Sequence, residues 1–175
     1  MSLKSNSDIY GPVARALHWS IGLLFLCLLF SGFLSDVLPK PVTIQMHKAT
    51  GILVLGLGLL RLLWWIADAN RPSDDDLEWE KWPARLTKWT LAAITVVLPF
   101  SGWLMSSASD KPIFFYGLFQ VPMLLSPDKE LGHLFKECHE TIGFAAAALL
   151  ALHVAGAIRH HVIVKDRVLL RMLGR

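Results

Sequence analysis

Cysteine is nearly absent: the chain holds only Cys27 and Cys138. Cys27 lies within an apolar run and Cys138 stands beside a histidine near the start of another, so no disulfide framework is expected. No C-x-x-C-H occurs, which argues against covalent attachment of a c-type haem. Charge is scarce as well, at 18% of 175 residues with a net charge of +3. The basic residues gather at the ends of apolar segments, so they read as membrane-orientation signals rather than as a nucleic-acid surface. Internal repeats, low-complexity tracts and a second domain are all missing, leaving a single domain over 1–175. Apolar residues make up what is left: 54% of the chain is hydrophobic, with seven tryptophans and a mean hydropathy of +0.47. That composition belongs to an integral membrane protein, whose first partner is lipid.

A window of about 19 residues finds four spans, near Ala16–Leu34, Ala49–Ile66, Trp89–Met105 and Ile142–Ile158. With their flanks they predict helices over roughly 12–36, 44–67, 84–107 and 130–162, an all-α four-helix transmembrane bundle. The first run is followed by no small-residue cleavage pattern, so it is read as a span and not as a secretory signal. The connections "PKP" at 39–41, "NRPSDDDLEWEKWP" at 70–83 and "SDKPIFFYGLFQVPMLLSPDKE" at 109–130 are rich in turn-formers and read as loops. Lys4, Arg15, Arg61, Arg71, Lys81, Arg85, Lys88, Arg159, Lys165, Arg167, Arg171 and Arg175 fall on one side, against Lys40, Lys48, Lys111, Lys129 and Lys136 on the other. This asymmetry predicts both termini in the cytoplasm. Trp64, Trp65, Trp79, Trp82 and Trp89 read as interfacial belt residues.

The stretch "ECHETIGFAAAALLALHVAGAIRHH", Glu137–His161, sets imidazoles in and beside an apolar span. A polar ring in hydrocarbon costs free energy unless something satisfies it, so such a histidine is a functional candidate. The topology gives each histidine a depth: His18 and His153 lie at the cytoplasmic level, His47 and His139 at the outer level. His139 and His153 are fourteen residues apart, which returns them to one helix face about 21 Å apart along the axis. Two imidazoles on one face, each opposed by an imidazole from another helix, suit two planar bis-histidine haem b groups, with the pairs His18/His153 and His47/His139 as iron ligands. One tetrahedral zinc or copper site needs all its ligands around a single ion, which residues at opposite membrane faces cannot supply. Core histidines bonded to neighbouring Ser or Thr remain the plainer alternative for any one of them.

Glycines accompany these four. Gly22, Gly51 and Gly143 follow His18, His47 and His139 by four residues, and Gly156 follows His153 by three, so each shares its histidine's face. A porphyrin lying against a helix needs such a bare patch; small-residue helix packing in lipid is the other reading. His133, His160 and His161 have no such glycine. Arg61 follows His47 by fourteen residues and so reaches the level of His18 and His153. It either faces the inner haem and pairs with a propionate or snorkels at a helix end.

"ARALHWS", "QMHKATGILVL", "ECHETIGF", "FYGLFQVP" and "LHVAGAIRHHVIVKDRVLLRML" together resemble the bacterial cytochrome b561 family of small four-helix, inner-membrane dihaem proteins. The tail is the most specific part, with its histidine pair followed by Lys165, Asp166, Leu170, Arg171 and Met172. The resemblance implies two non-covalent haem b groups at His18, His47, His139 and His153, a multi-pass place in the inner membrane, and electron exchange with membrane quinone. At least one family member is a superoxide oxidase that passes electrons from periplasmic superoxide to ubiquinone.

One feature departs from that activity. The outer segments set five lysines against Asp36, Asp110, Asp128, Glu130, Glu137 and Glu140, so attraction of an anion must come from local placement. Lys48 beside His47 is the candidate, its alternative being an interfacial anchor. His160 follows His153 by seven residues, on the same face and one level closer to the cytoplasm, and is the candidate quinone residue. Basic residues also suit a helix C-terminus, and the choice between His160 and His161 stays open. The expected function is electron transfer from a periplasmic donor, foremost superoxide, to the ubiquinone pool. A dihaem subunit anchoring a periplasmic dehydrogenase is the alternative, favoured by the apolar "PIFFYGLF" loop; a haem carrier without redox duty is the third.

Overall fold

In the computed structural model, residues 3–35, 37–39, 42–68, 72 and 81–175 are described. Asp36, Lys40, Arg71, Trp79 and most of the loop expected at 70–83 therefore lie outside the described residues. Four long helices dominate: α1 Pro12–Phe33, α2 Val42–Ala67, α3 Lys81–Ala108 and α4 Lys129–Arg159. All four are long and apolar enough to cross a membrane. α1 opens on Pro12, where a missing N–H is harmless and φ is preset. α4 is capped by Asp128, whose carboxylate accepts the N–H groups of Glu130 and Leu131 at 2.9 and 3.0 Å. Large side chains such as Leu23, Leu63, Phe144 and Leu152 point outward, as suits a surface solvated by lipid tails.

Close backbone packing runs α1 to α2, α2 to α3 and α3 to α4. α4 thus leans on α3 and faces α1 and α2 mainly through side chains. A core of Phe25, Leu28, Val54, Ile94, Leu98 and Ala146 draws on all four helices. Val54 stands seven residues from both His47 and Arg61, and Ala146 seven from both His139 and His153, so each shares a face with the groups above and below it. Both are fully buried. A dry apolar layer therefore separates the two histidine levels.

The loop at 109–130 holds structure that turn-formers alone did not suggest. β1 Ile113–Phe115 and β2 Phe119–Val121 form an antiparallel hairpin, turning where Tyr116 and Gly117 adopt positive φ. It is fastened to α2: Gln45 Nε2 donates to the Pro112 carbonyl at 3.3 Å, Lys48 Nζ to the Lys111 carbonyl at 3.1 Å, and the Thr50 hydroxyl meets the Tyr116 hydroxyl at 3.0 Å.

At the opposite end α4 widens into a π-helical turn, His160–Val164, and a short α5, Val168–Leu173, folds back on α1. Trp19 Nε1 donates to the Met172 carbonyl at 3.0 Å and Arg15 Nη1 to the Leu173 carbonyl at 3.1 Å. The Tyr10 N–H reaches the Arg171 carbonyl, so the two terminal segments meet at one end of the bundle. Buried Asp68, just past α2, accepts the N–H and hydroxyl of Ser5 and fixes the amino-terminal segment there.

Candidate functional site

Two imidazole pairs form, one at each end of the bundle. At the terminal end His18 of α1 faces His153 of α4 with ring centres 6.2 Å apart and planes at 64°. At the hairpin end His47 of α2 faces His139 of α4 at 6.3 Å and 78°. α4 contributes to both, and neither α1 nor α2 packs closely against its backbone. The rings, not the helices, span these gaps.

The second nitrogen of three rings is held. Nδ1 of His47 lies 2.8 Å from the Ser31 hydroxyl. Nδ1 of His139 lies 3.0 Å from the Leu98 carbonyl and 3.0 Å from the Ser101 hydroxyl. A carbonyl can only accept, so His139 carries its proton on Nδ1 and keeps the Nε2 lone pair for a metal. Nδ1 of His18 meets Nη2 of Arg61 at 3.1 Å; the guanidinium can only donate, so here Nδ1 accepts. Arg61 thus stands at the level of His18. Three residues on, Trp64 has its indole N–H buried without a hydrogen-bond partner among the described residues.

Glycine shapes the surroundings. A Cβ at Gly22, Gly51, Gly143 or Gly156 would meet nothing within 4 Å, although all four are only half-exposed. Bare helix surface thus borders open space beside each histidine. Gly102 does the reverse: a Cβ there would stand 2.9 Å from Cε1 of His139, so glycine alone lets that ring lie against α3. A cleft lined by Cys27, Leu28, Ser31, Met46, His47 and Thr50 opens between α1 and α2 beside the hairpin-end pair.

The other candidates sort by place. Lys48 adjoins His47 but spends an N–H on the Lys111 carbonyl, which brings a second lysine to the same corner. His160 sits in the π-helical turn with Nδ1 against Asp166 Oδ2. His133 is exposed and pairs with Glu137 one turn on, and His161 is exposed. Among the described residues no three His, Cys, Asp or Glu side chains converge as a metal cluster would require. Ser31, Ser101, Gly102, Trp64 and Asp166 escaped the sequence reading of the site. Only Gly102 and Asp166 carried any signal, a glycine in a span and a carboxylate in the tail.

A four-span bundle that opposes imidazoles in pairs at two depths is the architecture of a b-type membrane cytochrome. The chain belongs to the prokaryotic cytochrome b561 family, whose pattern matches residues 9–175. Cytochrome b561 homolog 2 of Escherichia coli (strain K12) is 27% identical over 186 aligned positions, covering all of this chain and 96% of that protein. Cytochrome b561 homolog 1 of the same organism is 32% identical, covering all of this chain and 99% of its own length. This is accordingly a multi-pass membrane electron-transfer protein of a family that binds haem b. The residues fit that group. In each pair two imidazoles from different helices oppose each other beside bare glycine surface, and they would be the groups to hold a haem iron.

Proposed function

We propose that the protein is a dihaem cytochrome b of the bacterial inner membrane, with residues 1–175 as one domain and both termini in the cytoplasm. It moves electrons from a periplasmic donor, foremost superoxide, to ubiquinone. The observation that carries this reading is the pair of imidazole separations, 6.2 and 6.3 Å, one at each end of the bundle. His47 and His139 would hold the outer haem, His18 and His153 the inner one. The haems supply one-electron chemistry when bound; the protein supplies position and electrostatics.

Ser31, Ser101 and the Leu98 carbonyl orient the outer imidazoles and raise their basicity as ligands. A neutral imidazole that gives Nε2 to iron keeps its proton on Nδ1, so in that state Arg61 must direct its N–H groups to another acceptor than His18. A haem propionate is the acceptor its charge prefers, and the Trp64 indole, one turn on, is a second donor for it. At the outer corner Lys48 and Lys111 place positive charge beside His47, a local attraction for an anion that the segment's net charge does not provide. His160, at the edge of the terminal-end pair, is the group proposed to meet quinone and pass it protons.

The test is the purified protein alone in detergent. Superoxide should reduce its haem, and a short-chain ubiquinone should reoxidise it. A second reading rests on the hairpin, which exposes Phe114, Leu118 and Phe119 and would suit an anchored periplasmic dehydrogenase. Haem that superoxide leaves oxidised, but that a co-purifying dehydrogenase reduces, would establish that reading instead.

A further inference from the structure

Asp166 lies six residues beyond His160. A continued α-helix would turn it through about 600°, well away from the imidazole's face. The chain does something else. It widens into the π-helical turn and ends at Lys165 in the left-handed region, φ 59°. The backbone then reverses, and the Asp166 N–H donates to the His160 carbonyl at 3.2 Å. One carboxylate oxygen meets Nδ1 of His160 at 2.5 Å, while the other accepts the Val168 N–H at 3.0 Å. The two side chains are only 13% and 19% exposed. A π-helical turn and a non-glycine left-handed residue are both uncommon and gather at functional sites.

Nearby, α5 continues from this turn and is bonded through the Met172 carbonyl to Trp19, whose ring lies 5.2 Å from that of His18. The segment that follows the dyad is thereby tethered to the helix that carries His18. We propose that Asp166 is the positioning residue of the quinone site, holding the proton on Nδ1 of His160 so that Nε2 is the atom that exchanges a proton with a quinone oxygen. This rests on the reading that quinone meets His160.

The balance is simple. Each quinone gains two electrons, delivered singly as two superoxide anions become two molecules of oxygen, and two protons drawn from the water at the terminal end. In each proton step the Nε2–H bond of the imidazolium breaks and a quinone O–H bond forms. The imidazole left behind is neutral, keeps Nδ1–H on Asp166, and regains its Nε2 proton from water. The carboxylate offsets the imidazolium charge and prevents the ring from presenting the wrong nitrogen, as an orienting carboxylate does in other proton-transfer sites.

Asp166→Asn tests this. The amide keeps its size and can still accept from Val168 through its oxygen, which turns its NH2 toward Nδ1 and forces the proton onto Nε2. In the full-length haem-loaded protein, reduced with stoichiometric dithionite and mixed with short-chain ubiquinone, the limiting reoxidation rate should fall about tenfold or more. Haem content, the reduced spectrum and the half-saturating quinone concentration should stay within about twofold. ¹⁵N-histidine NMR should show one ring exchanging its Nδ1–H tautomer for Nε2–H, and Asp166→Glu should restore much of the rate. A wild-type rate in Asp166→Asn with a slow His160→Ala would overturn the role of Asp166 and leave the His160 reading intact. Wild-type rates in both would remove the His160 reading itself. If Asp166→Asn loses haem and Asp166→Glu does not recover the rate, Asp166 is a structural tether and the proposal fails.

Discussion

At Gly102 a single methyl group decides whether His139 can lie against α3. A side-chain carbon there would come within 2.9 Å of that ring, and overpacking of this kind costs about 1–3 kcal/mol. Gly102→Ala should therefore lower occupancy of the proposed outer haem, read from reduced-minus-oxidised spectra, while Gly56→Ala, which meets nothing within 4 Å on an exposed face, should change neither component. The histidines make separable demands. His47→Ala and His139→Ala should remove one spectral component, His18→Ala and His153→Ala the other, and His133→Ala should leave both. Retention of both components in His153→Ala would refute the pairing. The four histidines and Arg61 stood out in the sequence because helical spacing relates residues on one face. Ser31 and Ser101 did not, because a serine in a span looks the same whether it bonds its own helix or an imidazole on another.

At the scale of elements, α4 carries the arrangement, supplying a ring to each pair and continuing into the turn that holds His160. Its start is secured by Asp128. Asp128→Ala frees two N–H groups and should cost about 1 kcal/mol, seen as a lower temperature for loss of the haem absorbance band, with the spectrum at low temperature unchanged. Within α3, Pro99 offers no N–H to the Thr95 carbonyl, so the ladder is already interrupted next to Leu98, whose carbonyl bonds His139. The four helices were legible in the sequence through apolar length. The hairpin was not: strands of three residues leave too short a pattern, and its pairing depends on α2 beneath it. The π-helical turn was equally hidden, since nothing in "RHHVIVKD" by itself favours five residues per hydrogen-bonded turn over four.

For the whole molecule, the four proposed ligands, arranged as two pairs, would saturate two irons. Two haems per chain should be found by pyridine haemochromogen analysis of a fully loaded preparation, and acidified acetone should extract both. One haem per chain, or pigment that stays attached, would show the pairing to be wrong. Orientation is tested with the native cysteines replaced: a maleimide that cannot cross the inner membrane should label Gly117→Cys from the periplasm and not Arg175→Cys. The sequence by itself determined the number of spans, the fourteen-residue spacing and the glycines that follow the histidines, because the periodicity of a helix is a local property of the chain. Only the tertiary structure decided which groups hold Nδ1 of His18, His47 and His139, that α4 stands apart from α1 and α2 where the rings meet, and that Asp166 returns to His160. Those outcomes depend on atoms distant in sequence meeting within hydrogen-bond reach, and a local pattern carries no record of such meetings.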